Sequence, residues 1–319
     1  MRSSIEKFKK DFTIQKYIVY IAFVAAFIIF AVLFQGKGFL TPRNLTNVVK
    51  QTSMVAVMAY AMCFVIGCGQ IDLTVGPNAA LSGLVAAIII RETGSVVLGV
   101  IGALAVGFVI GTINGNLLVY TGLPAFLITI GMQIIIKGTA MWIADNSAVP
   151  VISKSFNRVF GNGTLFGIPV LIIWSLVFLV VMYILLNKTS FGKRVLAVGG
   201  NQMAAQYSGI NVNRVKKQAM LMTGLLAAFA GLMYAGRLEA AHYAYGEGVE
   251  MNIIAAAVLG GANMNGGAAS IVGALFGALL MGMVDNGLVI AGMSVSQQMM
   301  VRGTVIIVAT ALGNVKRRR

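Results

Sequence analysis

Charge is what this sequence has least of. Only 10% of its 319 residues are charged, against roughly 25% in an ordinary soluble domain. A surface that poor in charge cannot stay in water, so the shortage excludes a soluble globular protein and makes lipid the solvent. Histidine is nearly absent, with His242 the single example, and only nine residues are acidic. That leaves little material for acid–base catalysis, and no Ser/His/Asp constellation is visible, so the chain is not expected to be an enzyme. The two cysteines, Cys63 and Cys68, fall five apart in one apolar run, where a helix points them to different faces and no disulfide is expected. There is no CxxC pair and no His/Cys cluster, which argues against a metal site. No GxxxxGK[ST] sequence occurs, so the chain does not bind ATP by that device, and no cofactor of its own is expected.

What is present is apolar. Hydrophobic residues make up 58% of the chain, with 38 glycines and 18 methionines. Glycine is common in membrane helices because small residues let backbones approach closely, and methionine fills irregular gaps. The net charge of +15 could suggest nucleic acid, but the positions say otherwise. Fifteen of the 24 basic residues fall in three segments: 2–16, 188–217 and 316–319. This is the positive-inside pattern, which places those segments in the cytoplasm. No basic and aromatic interleaving accompanies it, so no nucleic-acid partner is expected.

The spacing of polar breaks predicts helices over 17–34, 51–67, 78–90, 95–120, 125–143, 168–186, 218–235, 268–284 and 297–312. The first exceeds a usual signal-peptide core and lacks a small-residue cleavage motif, so it reads as a retained helix. A polar segment at 36–50, which holds Pro42, is expected outside the membrane, with room for a surface helix. The run 67–77 interrupts the second helix, and 250–259 is apolar but too short to cross alone, so it reads as a half-helix before the glycine pairs at 260–261 and 266–267. Residues 145–167 form a long polar loop, which suggests a functional role. Gly107, Gly111 and Gly115 recur every four residues and predict close helix packing. The fold class is therefore all-α: a polytopic membrane protein of about ten transmembrane helices, one or two of them broken, with both termini cytoplasmic. It is read as a single domain over 1–319, with its longest polar stretch at about 188–217.

Carboxylates at membrane depth are the main anomaly, because burying a charge in hydrocarbon costs at least about 2.5–3.5 kcal/mol. Asp72 lies in the break between helices. It reads either as an inter-helix latch or part of a polar path, or as the cap of the following helix. Glu250 reads first as a helix-start carboxylate, and Asp285 as a solvated group near a helix end. Asn114, Thr129, Gln133, Asn252 and Asn286 can both donate and accept hydrogen bonds. Singly they suit helix bridging; together they suit a neutral, hydroxyl-rich solute better than an ion.

Four stretches bring in a resemblance. They are Gly69-Gln-Ile-Asp-Leu-Thr-Val-Gly76, similar to GIDLSVG; Asn114-Gly115 with 124–131, Pro-Ala-Phe-Leu-Ile-Thr-Ile-Gly; 190–201 running into Ala204-Ala205 and Ser208-Gly-Ile-Asn211; and Ala255-Ala-Ala-Val-Leu-Gly-Gly261 with Gly266-Gly267. In this order they resemble the permease subunits of bacterial ABC importers for ribose, galactose, xylose and related monosaccharides. The chain departs from that pattern at Gln70, Met203 and Asn252.

The resemblance implies an importer of two permease copies, two ATP-binding cassette subunits carrying ATP and Mg, and an extracytoplasmic solute-binding protein, in the bacterial inner membrane and in contact with its lipid. It implies that 188–217 is a cytoplasmic coupling loop. There Asn201, Ala204, Ala205, Gly209, Ile210 and Asn211 form an EAAxxxG-like element that docks on the ATPase. Asp72, Asn114, Phe126, Thr129, Gln133, Glu250 and Asn252 are the candidates for the translocation path or its gates. Two alternatives stand beside this reading. One is a related permease for nucleosides, autoinducer-like sugars or branched-chain amino acids. The other is a secondary transporter or channel that works alone.

Overall fold

The computed structural model describes residues 18–315; the basic groups at 2–16 and 316–319 lie outside the described residues. Helices dominate, and seven of them are long and apolar enough to cross a membrane. In chain order the helices are α1 (Ile18–Leu33), α2 (Pro42–Gly67), α3 (Val75–Thr93), α4 (Val96–Thr121), α5 (Ala125–Ile143), the short α6 (Lys154–Asn157), α7 (Val170–Lys188), α8 (Ser190–Gly200), α9 (Gln202–Tyr207), α10 (Val212–Leu238), α11 (Val249–Leu259), α12 (Ile271–Ile290) and α13 (Val295–Val315).

Two helices form the centre. The α2 stretch from Met54 to Ile66 is apolar all round and almost completely buried, as such a helix must be. It packs against α7, α10, α11 and α12. The other central helix, α10, lies along α3 and α4. The expected glycine seam is here. A Cβ on Gly111 would sit 2.8 Å from the Met220 carbonyl and from Leu221 Cα; Gly107 faces Gly224 in the same way, and Gly115 faces Lys217. Any side chain at these positions would hold the two helices apart.

The helix boundaries differ from expectation in one instructive place. α2 begins at Pro42, inside the segment expected to be polar and external. The Thr41 side chain caps it by accepting from Asn44 N, and Pro42 occupies the first turn, where a missing N–H costs nothing. Arg43, Asn44 and Lys50 make the first turns look loop-like in composition, yet they are helical. The break after α2 was legible: Gly69 takes φ 75° and the helix resumes at Val75.

The long polar loop is a folded cap rather than an open strand of chain. Val149–Pro150 (β1) pairs antiparallel with Ala240–Ala241 (β4), just past the end of α10. Thr164–Leu165 (β2) and Ile168–Pro169 (β3) make a small hairpin, turned by Phe166 and Gly167 at positive φ. Phe156 and Phe160 are buried, and the Asn157 amide donates to Val151 O at 2.9 Å.

At the opposite end three glycine segments meet. Gly267 N donates to Gly67 O at 2.9 Å. A Cβ on Gly199 would lie 2.6 Å from Gly267 N and 2.9 Å from Gly266 Cα. The end of α2, the amphipathic α8 and the turn before α12 therefore touch backbone to backbone.

Candidate functional site: a polar track at two broken helices

Asp72 sits in the break before α3 and is 1% exposed. Its Oδ1 accepts from Thr74 N at 2.9 Å and from the Thr74 hydroxyl at 2.6 Å. Its Oδ2 accepts from the Thr223 hydroxyl of α10 at 2.5 Å. The Asn114 amide, from α4, donates to Thr74 Oγ1 at 2.9 Å. Asp72 is thus a latch among the break, α4 and α10. It also braces the turn that leads into α3, although the residue in the capping position is Thr74, which makes no side-chain cap bond. Both readings of Asp72 therefore hold a part of the geometry.

One turn on, the Asn78 amide donates to Gly224 O at 3.0 Å, near the midpoint of α10, and Ser82 donates to Asn78 Oδ1. The start of α3 is thereby placed halfway along α10, at membrane depth. The start of α11 is placed beside it. Gly76 and Gly246 are in backbone contact, and a Cβ on Gly76 would lie 3.0 Å from Glu250 Oε2. Two interrupted helices begin at one level. Irregular backbone at that depth is tolerated only where protein covers it or it lines a cavity.

Glu250 occupies the first turn of α11 and is buried, as expected of a carboxylate at a helix start. Its Oε1 accepts from the Gln133 amide of α5 at 3.1 Å. One turn away on α5, Lys137 Nζ donates to Glu247 Oε1 at 2.6 Å. Gln133 and Lys137, paired with Glu250 and Glu247, form two rungs between α5 and the chain entering α11.

The structure places the remaining candidates as follows. Phe126 lies on the same face of α5 as Gln133 and Lys137, given their spacing of seven and eleven residues, and is 47% exposed. Thr129 is buried, and its hydroxyl donates to its own helix at Ala125 O, 2.9 Å, so it joins no rung. Asn252 is buried on α11, two residues from Glu250 and therefore on another face. Asp285 corrects the expectation of a solvated end group. It lies within α12 and is paired with Arg302 of α13 at 2.6 Å. Asn286 exchanges amide hydrogen bonds with Asn44 at 2.9 and 3.0 Å.

Between the membrane helices, 201–211 folds compactly. Asn201 caps α9, accepting from Ala204 N at 3.0 Å, and Asn211 caps α10, accepting from Arg214 N at 2.9 Å. Gly209 takes φ 79° and ends α9. Ile210 N donates back to Ala205 O at 3.0 Å, a left-handed termination of the kind that favours glycine. The two alanines face opposite ways. Ala205 is buried and Ala204 exposed; Met203 and Tyr207 are exposed too, Tyr207 by 85%.

Sequence reasoning did not reach Thr223, Thr74, Lys137, Glu247 or Arg302. Thr223 is one threonine in an apolar run and carries no local signal. Lys137 did carry one, as a lone charge within an otherwise apolar helix.

Fold and site together define a multi-pass membrane protein with a buried, mostly uncharged polar interior and interrupted helices. The chain belongs to the family described as the branched-chain amino acid transport system permease component, which matches residues 44–310, so the resemblance to ABC importer permeases is borne out. It is 38% identical over 288 residues to the ribose import permease protein of Escherichia coli, covering 88% of each chain. It is 36% identical over 279 residues to the L-arabinose ABC transporter permease protein of Azospirillum brasilense, covering 88% of this chain and 82% of that one. The D-allose transport system permease protein of Escherichia coli is 35% identical over 275 residues, covering 86% and 84%. No solved structure matches it. The protein is a multi-pass component of the bacterial inner membrane.

Proposed function

We propose that this chain is the membrane-spanning subunit of an ATP-driven importer and carries a neutral monosaccharide from an external binding protein into the cytoplasm. The observation that carries this reading is the match, along most of the chain, to three permeases whose names specify pentose or hexose sugars. The polar interior agrees with it: the hydrogen-bonding groups near the two broken helices are mostly amides and hydroxyls, which suit sugar hydroxyls.

ATP and Mg belong to a separate ATPase subunit, which hydrolyses the nucleotide. Its docking surface on this chain is the exposed face of α9, with Asn201, Ala204, Gly209, Ile210 and Asn211 at or beside it, and Ala205 packed underneath. Motion there passes through α8 to the glycine junction at Gly67, Gly199 and Gly267, and so to the half-helix α11. Two copies form the transporter, with cyclic symmetry as the commonest arrangement. Asp72, Asn114, Phe126, Thr129, Gln133, Glu250 and Asn252 belong to the path or to the walls that hold it.

About ten crossings follow when the basic 188–217 segment is set in the cytoplasm. α10 then runs outward and α4, antiparallel to it along the glycine seam, runs inward. α3 runs outward from the midplane and α11 inward from it. With α1, α2, α5, α7, α12 and α13, both termini lie inside.

The test is purification of the tagged chain from its native membrane in mild detergent, followed by reconstitution with the ATPase that accompanies it and the binding protein. ATP-dependent uptake that unlabelled ribose, arabinose or allose competes away, and leucine or a nucleoside does not, is the expected result. Uptake that needs no ATP and stops when an ion gradient is collapsed would overturn it.

A further inference from the structure

Lys137 and Glu247 are both charged, both at membrane depth and both open. The side chains are 37% and 59% exposed. Lys137 stands within α5, about 9 Å before its outer end at 1.5 Å per residue. Glu247 directly follows Gly246, whose backbone rests on Gly76, two residues before the Asn78 that reaches the middle of α10. A lysine that deep can extend its stem toward the interface; this one is tied to Glu247 instead. Long, open charged side chains at this depth are not placed against hydrocarbon. The open side of the Lys137–Glu247 pair therefore looks onto water.

We propose that Lys137 and Glu247 line a water-filled translocation path as its charged outer rung, with Gln133 and Glu250 as the inner rung one turn deeper. The path runs along the face of α5 that carries Phe126, Ile130, Gln133 and Lys137, spaced by four, three and four residues. The class of solute it takes is neutral and hydroxyl-rich. An ammonium, an amide and two carboxylates supply both donors and acceptors, and each rung closes on itself when no solute is there. A hydroxyl can insert into either rung by accepting from the nitrogen and donating to the carboxylate. At the outer rung a solute with net charge would meet the opposite charge and its like side by side. This rests on the permease reading above and adds to it two residues and a face.

The test uses the assembled importer in lipid nanodiscs, with Cys63→Ala and Cys68→Ser as background. Lys137→Cys and Glu247→Cys are reacted with a charged, membrane-impermeant methanethiosulfonate, in the nucleotide-free and the vanadate-trapped states. The lipid-facing reference is Val180→Cys, midway along α7 and 56% exposed. Both path cysteines are expected to react at least tenfold faster than the reference in one state or the other. Rates equal to the reference in both states would overturn the proposal, whether the pair faces lipid or lies dry between two copies. Should the cysteine variants fail to assemble, hydrogen–deuterium exchange on the unmodified complex decides. Fast exchange of the amides of 244–249 supports a wet path; protection equal to that of mid-α7 rejects it. Uptake by the parent complex, measured in parallel, reports on the permease reading independently of either outcome.

Discussion

Thr223 donates its hydroxyl to Asp72 Oδ2 across 2.5 Å, joining residues 151 apart in sequence. The bond closes a four-residue network in which Thr74 and Asn114 hold the remaining ends. Its members come from three elements, so removing one loosens contacts between elements rather than within a helix. Thr223→Val is expected to lower stability by about 1–2 kcal/mol and Asp72→Ala by about 2–3 kcal/mol. Thermal melts of the two single variants and the double variant in detergent give the coupling. A coupling near zero would mean the latch does not bear on stability.

The glycine seam between α4 and α10 predicts a contrast. Gly111→Leu puts a side chain where Met220 O and Leu221 Cα already lie, and is expected to abolish recovery of monodisperse protein. Gly131→Ala and Gly138→Ala meet nothing within 4 Å and should stabilise by up to about 1 kcal/mol, through helix propensity alone. Gel-filtration profiles and melting temperatures separate these outcomes. Equal behaviour of all three variants would argue that the seam is not tight.

At α9 the buried Ala205 makes a poor probe of docking, since a large residue there disturbs the fold itself. Tyr207→Ala and Ala204→Trp alter only the exposed face. ATP-driven uptake should fall at least about tenfold in each, equivalent to roughly 1.4 kcal/mol, with membrane insertion unchanged. Normal uptake together with normal ATPase co-purification would remove α9 from the docking surface.

Gly209→Val tests the turn instead of the face. At φ 79° a β-branched residue is strained by about 1–2 kcal/mol, so the α9 terminus should fray. Protease susceptibility of 201–211 should rise while the membrane helices remain protected. An unchanged cleavage pattern would show that the turn tolerates the strain.

Much of this was legible in the sequence, because lipid imposes a simple rule: long apolar runs span and glycine-rich polar breaks interrupt. The break at 68–74, the half-helix at 249–259 and the small-residue seam all follow from it. The start of α2 was set nine residues late, at 51 rather than Pro42, because the polar 36–50 segment was read as external; the surface helix it had room for is the continuous first part of α2, and Thr41-Pro42 is its start signal. The partners of Asp72 and Glu250 were not legible. Thr223 and Gln133 stand more than a hundred positions away from them, and a single sequence holds no record of which helix faces which. Asp285 was assigned to water for the same reason, since Arg302 becomes its neighbour only once α12 and α13 pack.

The α4–α10 seam has a mechanical meaning. Helices that meet through interdigitated side chains can ratchet, since rotamers flip and ridges climb into the next groove. Helices that meet backbone on backbone at Gly107, Gly111 and Gly224 have no such teeth. They move as one welded strut, and Asn78 bolts the root of α3 onto it. Any swing between outward and inward states then has to be taken up elsewhere, as at α5, whose Gly131 and Gly138 meet no neighbouring backbone.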